Sequence, residues 1–103
     1  MQVKFKEWTC NVEFAFYGNG SPAIKLSDIN DGSPVAVASV NLEGIAKVKK
    51  GEIAIKDYSE NEGMLKTMMD AGIVSKPLRY VPSGFVTILI CKLLINENSK
   101  ASK

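Results

Sequence analysis

The sequence predicts an α+β domain: a mainly antiparallel β-sheet of about five to six strands with one α-helix, about residues 60–71, packed on one face. Three observations carry this expectation. Apolar and polar residues alternate in several short runs, the period of a strand with one buried face. One stretch alone places Met64, Leu65, Met68 and Met69 at the spacing of a helical stripe, with Lys66, Thr67 and Asp70 turned outward. The run 85–94, FVTILICKLL, is nearly continuous in apolar residues and rich in β-branched ones, as expected for a strand covered on both faces.

In chain order, Val3 and Phe5 alternate with Lys4 and Lys6, and Val12, Phe14 and Phe16 alternate with Glu13, Ala15 and Tyr17. They read as two strands, with Trp8, Thr9, Cys10 and Asn11 as a tight connection. The stretch GNGSP, residues 18–22, combines positive-φ tolerance with a proline and reads as a turn. Two further strands, 23–29 and 35–42, flank an Asp31-Gly32 pair, a strong local hairpin signal. Residues 42–51, LEGIAKVKKG, lack a clean period and read as a basic loop, followed by a short strand at 52–56 with Ile53 and Ile55 on one face.

Ser59 followed by Glu62 has the spacing of a capping box, and Glu60 and Glu62 suit the positive end of the helix dipole. Gly72 fits the left-handed residue that ends a helix, with Ile73 and Val74 packing behind it. Pro77 and Pro82 bracket a short extended piece at 78–81. Residues 1–95 are expected to form a single domain, and the polar end, NENSKASK at 96–103, a disordered tail.

Composition narrows the function classes. Hydrophobic residues at 46% and charged residues at 23% match ordinary globular usage, so neither disorder nor a membrane class is indicated. The longest apolar run falls far short of the ~20 residues that span a bilayer. The charged N-terminal residues do not resemble a secretory signal, so a cytoplasmic location and reduced Cys10 and Cys91 are expected. A formal charge of +2 selects no partner. Histidine is absent, which removes the commonest general base, metal ligand and pH switch.

No catalytic constellation emerges from the remaining candidates. Either cysteine as nucleophile would need an activating base, and serine hydrolase chemistry meets the same obstacle. The acidic group Asp57, Glu60 and Glu62 could hold a hard cation, but the helix start already explains two of the three, Glu60 and Glu62, and favours a structural origin. Gly18-Asn19-Gly20 lacks the third glycine and the strand-to-helix setting of a dinucleotide site. The expectation is a chain that is not an enzyme and has no cofactor and no metal.

Several of these segments also resemble a known family. KDYSENEGM (56–64), DAGIV (70–74) and PSGFVTILICKL (82–93), preceded by AIKLSD (23–28) and ASVNLEG (38–44), resemble DUF4313, a family of small proteins found in bacteria, their phages and conjugative elements. The resemblance covers most of the chain. It implies an accessory protein of a phage or mobile element, and it brings no catalytic residues with it.

Two functional expectations follow. The first is a protein-binding module that occludes a host or element-encoded protein, in the manner of an anti-defence inhibitor such as an anti-CRISPR. Its contacts are expected on the turns flanking the helix, at Asp57 and Tyr58 and within 76–84, where Arg79 and Tyr80 are the named candidates, because loops carry contacts more readily than a capped helix. The alternative is a nucleic-acid-binding accessory factor with Lys47, Lys49, Lys50 and Arg79 on phosphates and Tyr58, Tyr80 or Trp8 for stacking. Neither expectation involves a membrane, and the oligomeric state is left open.

Overall fold

The computed structural model describes residues 1–42 and 48–95. The expected tail at 96–103 and residues 43–47 of the expected loop 42–51 lie outside the described residues. Strands β1 (Gln2–Phe5) and β2 (Trp8–Phe16) pair antiparallel, with Val3 opposite Cys10 and Phe5 opposite Trp8. The connection between them is therefore the two-residue turn Lys6-Glu7, and Trp8 to Asn11 belong to β2. Lys6 takes a φ of 55°, uncommon for a residue with a Cβ, while its ammonium donates to the Glu60 carbonyl at 2.8 Å.

Strand β3 (Pro22–Asp28) pairs along β2, and β4 (Pro34–Val37) returns across the Asp31-Gly32 turn as the hairpin signal predicts. Asp28 and Asp31 each accept a hydrogen bond from the backbone two residues on, and Gly32 supplies a φ of 77°. Beyond β4 the chain changes sheet. Ala38 N–H donates to Ile24 O in the first sheet, whereas Ala38 O accepts from Lys56 N–H in the second. The expected strand 35–42 is thus divided at Ala38, and an antiparallel bridge between Ser39 and Ile55 ties the sheets together. The buried Ser39 hydroxyl accepts from Ile24 N–H and lies 3.0 Å from the Tyr17 hydroxyl, which keeps polar groups paired at the crossover.

The second sheet holds β5 (Glu52–Ile55), β7 (Val86–Leu93) and β6 (Val74–Ser83) in the order β5-β7-β6. The architecture is α+β as expected, but the described residues form seven strands in two sheets rather than five to six in one, and the strand pairs among them are antiparallel. The piece read at 78–81 is the middle of a ten-residue edge strand. Pro77 and Pro82 are tolerated because an edge strand needs ladder donors on one side only. Register shifts on either side of Pro77 leave Leu78 within a bulge.

Helix α1 (Met64–Asp70) is shorter than the predicted 60–71 and follows a separate 3₁₀ turn at Ser59–Asn61. The expected capping box does not form. Ser59 sits at φ 55° without a side-chain cap, and the Glu62 amide donates to its backbone oxygen. The helix starts at Gly63, whose φ of 96° only glycine adopts easily, and Asp57 Oδ1 accepts from the amides of Gly63 and Leu65. The predicted stop is present. Gly72 N–H donates to Met69 O and Ile73 N–H to Met68 O, the paired bonds of a Schellman motif.

Met64 and Met68 are fully buried, whereas Met69, expected in the same stripe, is 38% exposed. The main core gathers Phe5, Val12, Ile24 and Leu26 from the first sheet, Ile53, Ile55 and Cys91 from the second, and the two buried methionines. On the opposite face of the second sheet, Leu42, Ala54, Ile88 and Ile90 form a smaller core. Strand β7 is therefore covered on both faces, as its sequence requires. Helix α1 packs against β1 and β6, one strand from each sheet, and its buried methionines reach the core that both sheets share.

Candidate functional site

Three of the four residues expected to meet a partner are engaged within the fold. Asp57 caps α1 through two backbone amides. Tyr58 packs partly against the smaller core, and the Lys56 ammonium stands 5.4 Å from its ring centroid. Arg79 reaches across β7 to Glu52 with a two-pronged ion pair, both nitrogen–oxygen distances being 2.8 Å. That guanidinium, with the Lys49 amide, holds the Glu52 carboxyl down at about 2, against an ordinary 4.5. Tyr80 alone remains a surface group, 64% exposed.

The structure sets Tyr80 among exposed neighbours on the same flanking stretch, with Phe85 just beyond it. Burial alternates along β6, leaving Lys76, Leu78, Tyr80 and Pro82 exposed while Arg79 and Val81 turn inward. Strands β6 and β7 meet in a two-residue turn in which Ser83 faces Val86, Gly84 adopts a φ of 62° and Phe85 occupies the tip, fully exposed. Leu78, Tyr80, Pro82 and Phe85 thus form a nearly continuous apolar and aromatic stretch on the outermost hairpin. Phe85, expected as the first residue of a strand covered on both faces, instead precedes β7 and is fully exposed. The Ser83-Gly84 pair just before it marks a turn, which is the signal that places it at a tip.

Lys49 and Lys50 lie elsewhere, on the turn that leads into β5, and Lys47 lies outside the described residues. They border a cleft of about 510 Å³ between that turn and the ends of β2 and β3. Of the rings expected to stack beside them, Trp8, Tyr58 and Tyr80 are all absent from the cleft, whose aromatic residues are Phe14 and Phe16. Both cysteines are buried and unbridged, and burial raises both thiols, Cys91 to about 11. Among the described residues no group of three His, Cys, Asp or Glu side chains is placed to hold a metal ion, and no helix is long and apolar enough to cross a membrane. No family model, curated protein or solved structure matches the chain.

Proposed function

We propose that the chain is a small non-enzymatic accessory protein that acts by binding another protein, with the β6–β7 hairpin as its contact. The observation that carries this reading is the exposure of Tyr80 and Phe85 beside Leu78 and Pro82 on one hairpin. Leaving such side chains in water forgoes the stabilisation that burial would bring, and contiguous apolar surface of this kind marks interaction sites. Aromatic residues are also the usual anchors of protein interfaces. Lys76, exposed on the same strand, adds a polar rim that suits a partner with acidic groups around an apolar pocket.

The likeness of the segments at 56–64 and 82–93 to DUF4313 supports a setting on a phage or mobile element. In that setting the partner is a host or element-encoded protein. The activity is occlusion of a host defence component, as an anti-CRISPR achieves. The test is affinity capture from nuclease-treated host lysate, comparing the parent protein with a Tyr80→Ser, Phe85→Ser variant and identifying proteins by mass spectrometry. A protein retained by the parent and lost with the variant supports the reading. Equal retention by both, or no retained protein, overturns it.

A further inference from the structure

The cleft bordered by Lys49 and Lys50 presents different chemistry from the hairpin. Phe14 and Phe16 lie two residues apart on one face of β2, and both line the cleft with Pro22 and Leu93. Phe16 is 64% exposed although it continues the face that carries buried Val12. Its ring is therefore open to a flat ligand. The volume of about 510 Å³ falls within the range of about 300–1,000 Å³ typical of small-ligand pockets.

The cationic rim is held in place by hydrogen bonds to its backbone. Glu52 N–H donates to Lys49 O at 3.0 Å, Lys49 N–H donates to Glu52 Oε1 at 2.9 Å, and Gly51 takes the positive φ of 85° that this turn needs. Leu93 N–H bonds Gly51 O, which ties the turn to β7. The opposite wall is fixed as well, because Tyr17 N–H donates to Ser21 O and Gly20 N–H to Tyr17 O. The Glu52 carboxylate is matched by Arg79, while Lys49 and Lys50 are exposed and make no ion pair among the described residues. Positive charge is left at the mouth of an aromatic cleft.

The geometry points to a nucleotide-binding site: a base stacked on Phe16, with its phosphate between the ammonium groups of Lys49 and Lys50. Aromatic stacking beside lysines is the chemistry that single-stranded nucleic acid uses, and a free nucleotide offers the same base and phosphate. The site shares none of the exposed hairpin residues Leu78, Tyr80, Pro82 and Phe85 and does not depend on the protein-binding reading.

The test is fluorescence anisotropy with a labelled oligothymidylate strand at low and moderate salt, competed with unlabelled thymidine monophosphate or with a duplex of the same length. Phe16→Ala, at an exposed position, should leave thermal unfolding unchanged and weaken binding about tenfold. Lys49→Gln with Lys50→Gln should weaken it further and flatten the logarithmic salt slope by about 1.4, two phosphate contacts' worth. The Tyr80→Ser, Phe85→Ser hairpin variant should bind as the parent does. Competition by thymidine monophosphate assigns the site to free nucleotides, and competition by strands alone assigns it to single strands. Absence of binding at low salt, or binding that Phe16→Ala leaves unchanged, overturns the proposal.

Discussion

Helix α1 and the β6–β7 hairpin are neighbours in sequence but use their side chains in opposite ways. Around the helix, polar and apolar groups are matched internally. Asp57 caps the first turn, buried Asn61 donates to Val37 O and Lys56 O, Lys56 pairs with Glu60, and Met64 and Met68 are sealed in the core. Along the hairpin, Leu78, Tyr80, Pro82 and Phe85 project into solvent. A polar residue that satisfies a helix end or a buried carbonyl has its chemistry committed to the fold. An aromatic side chain left at a hairpin tip is free to meet something else, so the second region is the better place to look for function.

That division is tested first on the helix side. Met68→Ala should cost about 3 kcal/mol in urea unfolding, since a fully buried methionine loses transfer energy and leaves a cavity between α1 and the strands. Asn61→Ala should cost about 2 kcal/mol, because two carbonyls of the sheet crossover lose their donor. Asp57→Ala removes the acceptor of two helix-start amides and should cost about 1 kcal/mol. All three variants, when folded, should retain the captured partner. Loss of capture by folded Asp57→Ala would move the contact surface to the helix start.

Arg79 sharpens the comparison within a single strand, because it lies between Leu78 and Tyr80 yet belongs with the fold. Its hydrogen bonds depress the Glu52 pKa from 4.5 to about 2, so the carboxylate contributes stability in full above about pH 4.5. That contribution is lost as the pH falls from 4.5 towards 2. In Arg79→Met the Glu52 pKa should return towards its ordinary value, read by NMR titration. The parent should unfold at higher denaturant than the variant at neutral pH, and the difference should narrow through that acid window.

The parts of the fold legible in the sequence are those decided by local chemistry. Asp31-Gly32 made its hairpin, Gly72 stopped its helix, and the apolar run at 86–93 became the strand covered on both faces. The misread parts depend on distant partners. Lys6-Glu7 carries no glycine, and its turn is braced by a carbonyl at Glu60. The division at Ala38 leaves no mark on the side-chain pattern, because it consists of backbone bonds to two different strands. Ser59 has the spacing of a cap, but the helix starts later, after Gly63 with its positive φ, and Asp57 from further upstream accepts from the first amides. The same limit applied to the sites. Tyr80 was legible as an exposed residue, but Phe16 follows the alternation of a buried face and emerges only because β2 runs past the helix-covered core.

The smallest stability effect is expected where the largest binding effect is proposed. Tyr80→Ser with Phe85→Ser removes two rings that are 64% exposed and fully exposed, so little native burial is lost. The urea midpoint should move by no more than the equivalent of about 0.5 kcal/mol, the usual scale for surface changes. Gly84 keeps the turn residue with positive φ, so register is not expected to slip. Unfolding measured beside partner capture then separates two uses of the same side chains. A stable variant that no longer captures its partner places these rings in recognition, whereas a variant destabilised by several kcal/mol would mean that the hairpin packs like the helix and that the contrast between the two regions fails.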